Sequence, residues 1–169
     1  HLNYFLLSNL LLDMLEASAP ARIVNVASSG HKNRPLDFDD LQLERGYKGR
    51  EAYGRSKFAN LLFTYEMARR LEGSGVAVNA LHPGWVKTNI GRNNGLIFRL
   101  LMPLVQFNAI STQEGAETMV YLASSPGAEG LSGNYFYKME PISSDPGTYD
   151  GKAARRLWGI SLELTGLMP

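Results

Sequence analysis

The sequence contains no cysteine, which excludes disulfides, thiol nucleophiles and cysteine-bound metal. It also lacks an excess of charge of either sign. Seventeen Lys and Arg stand against 16 Asp and Glu, a net +1, and the basic residues are scattered. A nucleic-acid face needs clustered cations, so that class is set aside. The three histidines, His1, His31 and His82, are dispersed without metal-ligand spacing and are expected in structural or surface roles. Asp37, Asp39 and Asp40 lack the rest of a calcium loop, so a solvated turn is expected there. The pairs Arg69-Arg70 and Arg155-Arg156 read as solvated faces. Leu96 to Val105 is mostly apolar but broken by Arg99 and Pro103, far short of the roughly 20 residues needed to cross a bilayer. The apolar start is expected to be a helix of the fold, with no signal peptide before it. The lack of cysteine is compatible with a cytoplasmic setting, with membrane association left open.

What is present reads as one domain. The chain has 169 residues, 44% hydrophobic and 20% charged, as soluble globular proteins do. An apolar stretch from Phe5 to Leu15 predicts a helix buried on most sides, stopped before Pro20. Arg22 to Ala27 carries a β-branched run ending at Ser28, a buried strand. Residues 30–49 form a long loop, with one short helical turn expected at Leu36 to Leu41. Glu51 to Leu71 has helical spacing and ends at Gly73-Ser74-Gly75. Val76 to Leu81 is a second strand, broken by Pro83-Gly84. Ser111-Thr112-Gln113-Glu114 forms a capping box for a helix running to Ser124. Gly133 to Tyr137 is a third strand, and Asp150 to Leu164 a final amphipathic helix. Alternating strands and helices imply an α/β fold, a parallel sheet covered on both faces. Three strands make half an architecture. The chain starts His-Leu-Asn-Tyr rather than with Met, so a C-terminal piece of a longer protein is expected.

Tyr53 and Lys57 are four residues apart, which a helix turns onto one face. A phenol beside an ammonium, with Ser28 at a strand end, suits proton transfer to a carbonyl or from an alcohol. With eight tyrosines and six lysines, such a pair arises by chance in about a quarter of comparable chains. The spacing is weak alone; its setting between a strand-end serine and a strand leading into Pro-Gly makes it strong.

With those pieces together the sequence resembles the short-chain dehydrogenase/reductase family, nearest to its retinol-dehydrogenase-like branch. The matching stretches are Ser18 to Val26, Tyr53 to Asn60, Met67 to Leu71, His82-Pro83-Gly84-Trp85-Val86-Lys87-Thr88 and Ala154 to Trp158. The resemblance implies a Rossmann-like doubly wound parallel sheet, truncated, so that residues 1–169 are the C-terminal part of one domain. It implies catalytic Ser28, Tyr53 and Lys57, with Ser28 preferred over Ser29 because it stands three past Asn25. Tyr53 and Lys57, with Pro83, Gly84, Val86 and Thr88, would bind the nicotinamide side of NAD or NADP, with NADP favoured by the branch. A phenol with pKa near 10 is a poor base at neutral pH. A Lys57 cation and a positive oxidised nicotinamide would favour its anion.

The sequence also departs from the family. The glycine-rich pyrophosphate turn and the residue that separates NAD from NADP are absent. The family's catalytic Asn would fall just before His1, and Asn3 is not assigned that role. Residues 89–110 read as a packing helix or as a lid over a substrate pocket. Leu96, Phe98, Leu101, Met102 and Phe107 make a lipophilic alcohol, aldehyde or ketone the expected substrate. A homo-oligomer stays open. The alternatives are a sugar-nucleotide epimerase or dehydratase, which shares the Tyr/Lys pair, and a non-catalytic binding or scaffold member of the fold.

Overall fold

The computed structural model describes residues 1–87 and 109–167. The β-branched run forms β1 (Ala21–Val26), which pairs in parallel with β2 (Val76–Leu81) along its whole length, from Ala21↔Val76 to Val26↔Leu81. β3 (Tyr135–Tyr137) continues the sheet in parallel beside β2. β4 (Glu140–Ile142), which was not expected, returns antiparallel on β3, giving the order β1-β2-β3-β4. Lys138 and Met139 turn this hairpin with φ of 50° and 63°. A two-residue turn with both centres at positive φ usually announces itself as Asn-Gly. Here it does not, and Pro141 in a three-residue edge strand hides the rest.

Helices cover both faces because the strands alternate. α1 (Leu2–Leu10) and α2 (Leu12–Ala17) precede β1, and α3 (Gly49–Arg70) crosses from β1 to β2. Val76 and Val78 of β2 pack with Phe63, Met67 and Leu71 on the α3 side. Leu81 points the other way, into a cluster with Leu122 and Phe136. Leu122 belongs to α4 (Thr112–Ser124), which opens on the expected capping box. Glu114 N donates to Ser111 Oγ at 3.1 Å, and Ser111 N to Glu114 Oε2 at 2.8 Å. At its other end, Arg22 Nη1 donates to the carbonyls of Leu122 and Ser125, at 3.2 and 2.8 Å. The guanidinium thereby satisfies carbonyls that a helix end leaves open.

α5 (Gly151–Thr165) lies across α3. Asp150 Oδ1 caps it by accepting from Lys152 N and Ala153 N, and Gly166 closes it at φ 69°. Such αL closure favours glycine. Trp158 of α5 stands edge-on to Phe5 at 4.9 Å and stacks on Phe63 at 5.8 Å. These three rings pin α1, α3 and α5 together.

Three expectations are corrected. The first helix breaks at Leu11, and only Phe5 and Ser8 in it are buried. Leu7, Leu10 and Met14 are 60%, 63% and 67% exposed, because the core takes only one stripe of α1 and buries no residue of α2. No helix forms over 36–41, and turns and a bend occupy 38–42 instead, since Asp37 accepts from Asp39 N and Asp40 from Glu44 N and Arg45 N. Asp side chains that bond the nearby backbone compete with helix. The arginine pair Arg69-Arg70 is solvent-exposed as expected, but both also bond Glu66, whose side chain is 1% exposed, at 2.6 and 2.7 Å. They are the counter-ions of a buried carboxylate.

The lid region at 89–110 lies, apart from Ala109 and Ile110, outside the described residues, and so does Thr88. No described helix is long and apolar enough to cross a membrane. Truncating the central ring, Phe63→Ala, should destabilise the full-length protein by about 3–5 kcal/mol. Urea unfolding followed by tryptophan fluorescence measures this.

Candidate active site

β1 and β2 end side by side, so everything just past Val26 and Leu81 gathers at the carboxyl edge of the sheet. Ligands of open α/β sheets bind at that edge. Ser28 follows β1 in extended conformation and starts the 3₁₀ turn Ser29–His31. Its Oγ accepts from Gly30 N at 3.1 Å. A hydroxyl that accepts there keeps its own proton for donation.

Tyr53 lies in the second turn of α3 and is 47% exposed. It reaches Ser28 across Gly30. A methyl group at Gly30 would stand 3.1 Å from Tyr53 Cε1 and 3.4 Å from Ser28 Oγ. The phenol ring and the serine oxygen therefore flank one small gap. Lys57 is one helical turn on, and its Nζ donates to Val26 O at 3.1 Å. It lies 5.8 Å from the centre of the Tyr53 ring and 5.7 Å from that of Tyr4. Burial pushes the Lys57 pKa below its ordinary value. Tyr4 Oη also donates to Val26 O, at 3.3 Å. Burial first, then the neighbouring Tyr53, raises the pKa of Tyr4.

The Pro83-Gly84 turn leaves β2 at the same edge. Gly84 has φ 85°, and a side chain there would press on Ile110 Cδ1 at 3.3 Å and Tyr137 Cε2 at 3.4 Å. His82 stacks on Tyr137 at 4.2 Å and accepts from Gly84 N at 3.3 Å. Val86 pairs with Ile110. The structure thus brings Ser28, Tyr53 and Lys57 together and sets Pro83, Gly84 and Val86 at the same edge. Asn25 is internal, donating to Thr64 Oγ1 at 3.0 Å.

A sequence model of the family described as short chain dehydrogenase matches residues 2–96. The chain belongs to the short-chain dehydrogenases. It is 49% identical to human retinol dehydrogenase 14 over 99% of its own length and 51% of that protein. It is 44% identical to human retinol dehydrogenase 12, over 99% of this chain and 52% of that one. The chain spans about half the length of the curated relatives it matches. A crystal structure of an uncharacterised protein from Mycobacterium paratuberculosis superposes with TM-score 0.73 at 29% identity, covering 98% of this chain and 56% of that one. The NADPH-bound carbonyl reductase from chicken fatty liver shares the fold, with TM-score 0.57 at 24% identity, over 83% of this chain and 52% of that one.

In this short-chain dehydrogenase two determinants escape sequence reasoning. One is the Val26 carbonyl, which anchors Lys57; a backbone oxygen leaves no trace in residue type. The other is Gly54. A methyl there would sit 2.9 Å from the Gly30 carbonyl oxygen and 2.5 Å from Arg34 Cγ. Only a glycine beside Tyr53 lets α3 touch the serine turn. The small residue directly after Tyr53 was the available signal.

Arg34 can swing away, but the Gly30 carbonyl cannot. Gly54→Ala should therefore push the serine turn off the tyrosine helix. In the full-length protein kcat/KM should fall on the order of 100-fold, the usual cost of an ångström of misplacement. Adding Arg34→Ala should not restore it. Steady-state kinetics on the two variants decides the point, and turnover preserved in Gly54→Ala would refute the close-approach argument.

Proposed function

We propose that this chain is the proton-transfer half of an NAD(P)-dependent oxidoreductase interconverting an alcohol and a carbonyl compound. The observation that carries the reading is the convergence of Tyr53 and Ser28 on Gly30, with Lys57 one turn away. Dispersed side chains of a scaffold protein have no reason to meet at the carboxyl edge of a parallel sheet.

Each residue has a task that its surroundings suit. Tyr53 takes the hydroxyl proton of an alcohol in one direction and returns it to a carbonyl oxygen in the other. Its half-exposed ring leaves the phenol reachable. Ser28 donates its remaining proton to the substrate oxygen, orienting it and stabilising charge that develops there. Lys57 is held by Val26 O, and an ammonium there stabilises negative charge on the phenol oxygen.

The residues fit a nicotinamide. The Gly84 turn is bare of side chain, and Lys57 hydrogens not used by Val26 are free to meet ribose hydroxyls. Lys57, Tyr53, Pro83, Gly84 and Val86 would hold that end of the cofactor, with Thr88 added on sequence grounds. When bound, the nicotinamide supplies or accepts the hydride. NADP is preferred to NAD by resemblance to the branch, and the chicken carbonyl reductase of the same fold carries NADPH. The retinol dehydrogenases among the relatives and the apolar residues of 96–107 favour a lipophilic substrate.

The test uses the full-length protein and a panel of lipophilic aldehydes, following NADPH and NADH absorbance. Tyr53→Phe should lower kcat by on the order of 10²–10⁴ while circular dichroism stays as in wild type. Ser28→Ala should cost on the order of 10². Unchanged turnover in Tyr53→Phe would remove the mechanism.

A further inference from the structure

His31 is fully buried yet carries two directional hydrogen bonds. Its Nδ1 lies 2.6 Å from the carbonyl oxygen of Ser28, and its Nε2 receives Asp145 N at 3.0 Å. A carbonyl only accepts and an amide N–H only donates. The ring must then be neutral, with its proton on Nδ1 and a lone pair on Nε2. The same Ser28 carbonyl also accepts from His31 N at 3.2 Å. Two residues on, Asn33 N donates to Asp145 Oδ2 at 2.9 Å. The serine turn is thus fastened to a loop 114 residues away in sequence, and Tyr135 packs its ring edge-on against the imidazole at 5.4 Å.

We propose that His31 is a positioning residue whose neutral ring clamps the Ser28 carbonyl to the Asp145 backbone and so holds the serine hydroxyl against Tyr53. The proposal rests on the reading of Ser28 given under the proposed function. The carbonyl fixes the backbone of Ser28, and Ser28 Oγ is already bound to Gly30 N within the same turn. With both ends of the turn tied, the serine oxygen keeps its place beside Tyr53 and its proton is left for donation.

The groups around the ring agree with a neutral clamp. Burial pushes the His31 pKa below its ordinary value, the Ser28 bond and the Asp145 carboxylate work against this, and Lys32 adds to it. His82 is also pushed down by burial first, and then by His31 and Lys32. Above pH of about 6.5, the ordinary histidine value, folded and unfolded chains both hold His31 neutral. Below it the unfolded chain takes up a proton that the folded chain refuses. Stability from this residue is therefore complete above that pH and is lost as pH falls toward the folded-state pKa. A second ring proton would set N–H against the N–H of Asp145 and open the clamp.

The experiment compares His31→Asn and His31→Gln in the full-length protein, each in wild-type and Ser28→Ala backgrounds. Asn places an amide donor near the Nδ1 position, whereas Gln reaches only toward Nε2. His31→Gln should lower kcat about tenfold, the usual weight of one buried hydrogen bond. His31→Asn should recover most of that loss, and His31→Gln should cost nothing further once Ser28 is Ala. The same loss in both backgrounds, or a lowered melting temperature with unchanged kcat, would overturn the clamp. Wild-type turnover in Ser28→Ala alone would instead remove the role of Ser28, and the clamp with it. Should the Gln variant not fold, the Asn variant carries the test through pH. Without a titrating ring, its acid limb of kcat should move to lower pH, and an unmoved limb overturns the proposal.

Discussion

A glycine on the tyrosine helix lies against the backbone of the serine turn where any other residue would place carbon. Gly54 on α3 approaches the Gly30 carbonyl so closely that an added methyl would fall 2.9 Å from it. This is backbone against backbone, and it has no flexible side chain to absorb an error. The tyrosine follows the helix and the serine follows the turn, so their separation is inherited from this one contact. Lys57 is referred to the same frame through Val26, the last residue of β1. The three side chains are thus placed by main-chain atoms of a strand, a turn and a helix, which is the stiffest support a fold of this kind offers.

The scaffold behind them is arranged to keep that frame still. Phe5, Phe63 and Trp158 interlock α1, α3 and α5, and α3 is thereby held at Phe63, past its midpoint. Near its C-terminus, Glu66 is buried with two guanidinium partners, and Arg70 in turn lies over the Trp158 ring at 4.2 Å. A buried carboxylate without such partners would be costly. At the front of the same helix, Glu51 pairs with Arg34 and Arg55 at 3.3 and 3.0 Å and ties the long loop to the tyrosine turn.

Much of this was legible in the residues. The β-branched runs of β1 and β2, the spacing of α3, and the Ser-x-x-Glu box of α4 each follow from a local rule, and each element formed where that rule puts it. Tyr53 and Lys57 were readable because helical periodicity sets them on one face and a strand-end serine and a strand leading into Pro-Gly frame them. Other features had no local signature. Lys138 and Met139 make a hairpin turn that resembles no turn in composition. The apolar run of α1 says that apolar surface exists, but not which side is covered. Gly30 and Gly54 read as punctuation until the chain is folded and they meet. His31 and Asp145 are too far apart in sequence for any spacing rule to join them, and His31 contacts backbone, which sequence patterns do not display.

The uncovered side of α1 has a consequence of its own. Leu7 and Leu10 of that helix and Met14 of α2 are exposed apolar side chains, and β1 offers an unpaired backbone edge, since among the described residues its only neighbour is β2. Soluble proteins seldom leave both kinds of surface bare. A polypeptide of these 169 residues made by itself would be adhesive at two places, and would gather into clumps unless other protein covered them.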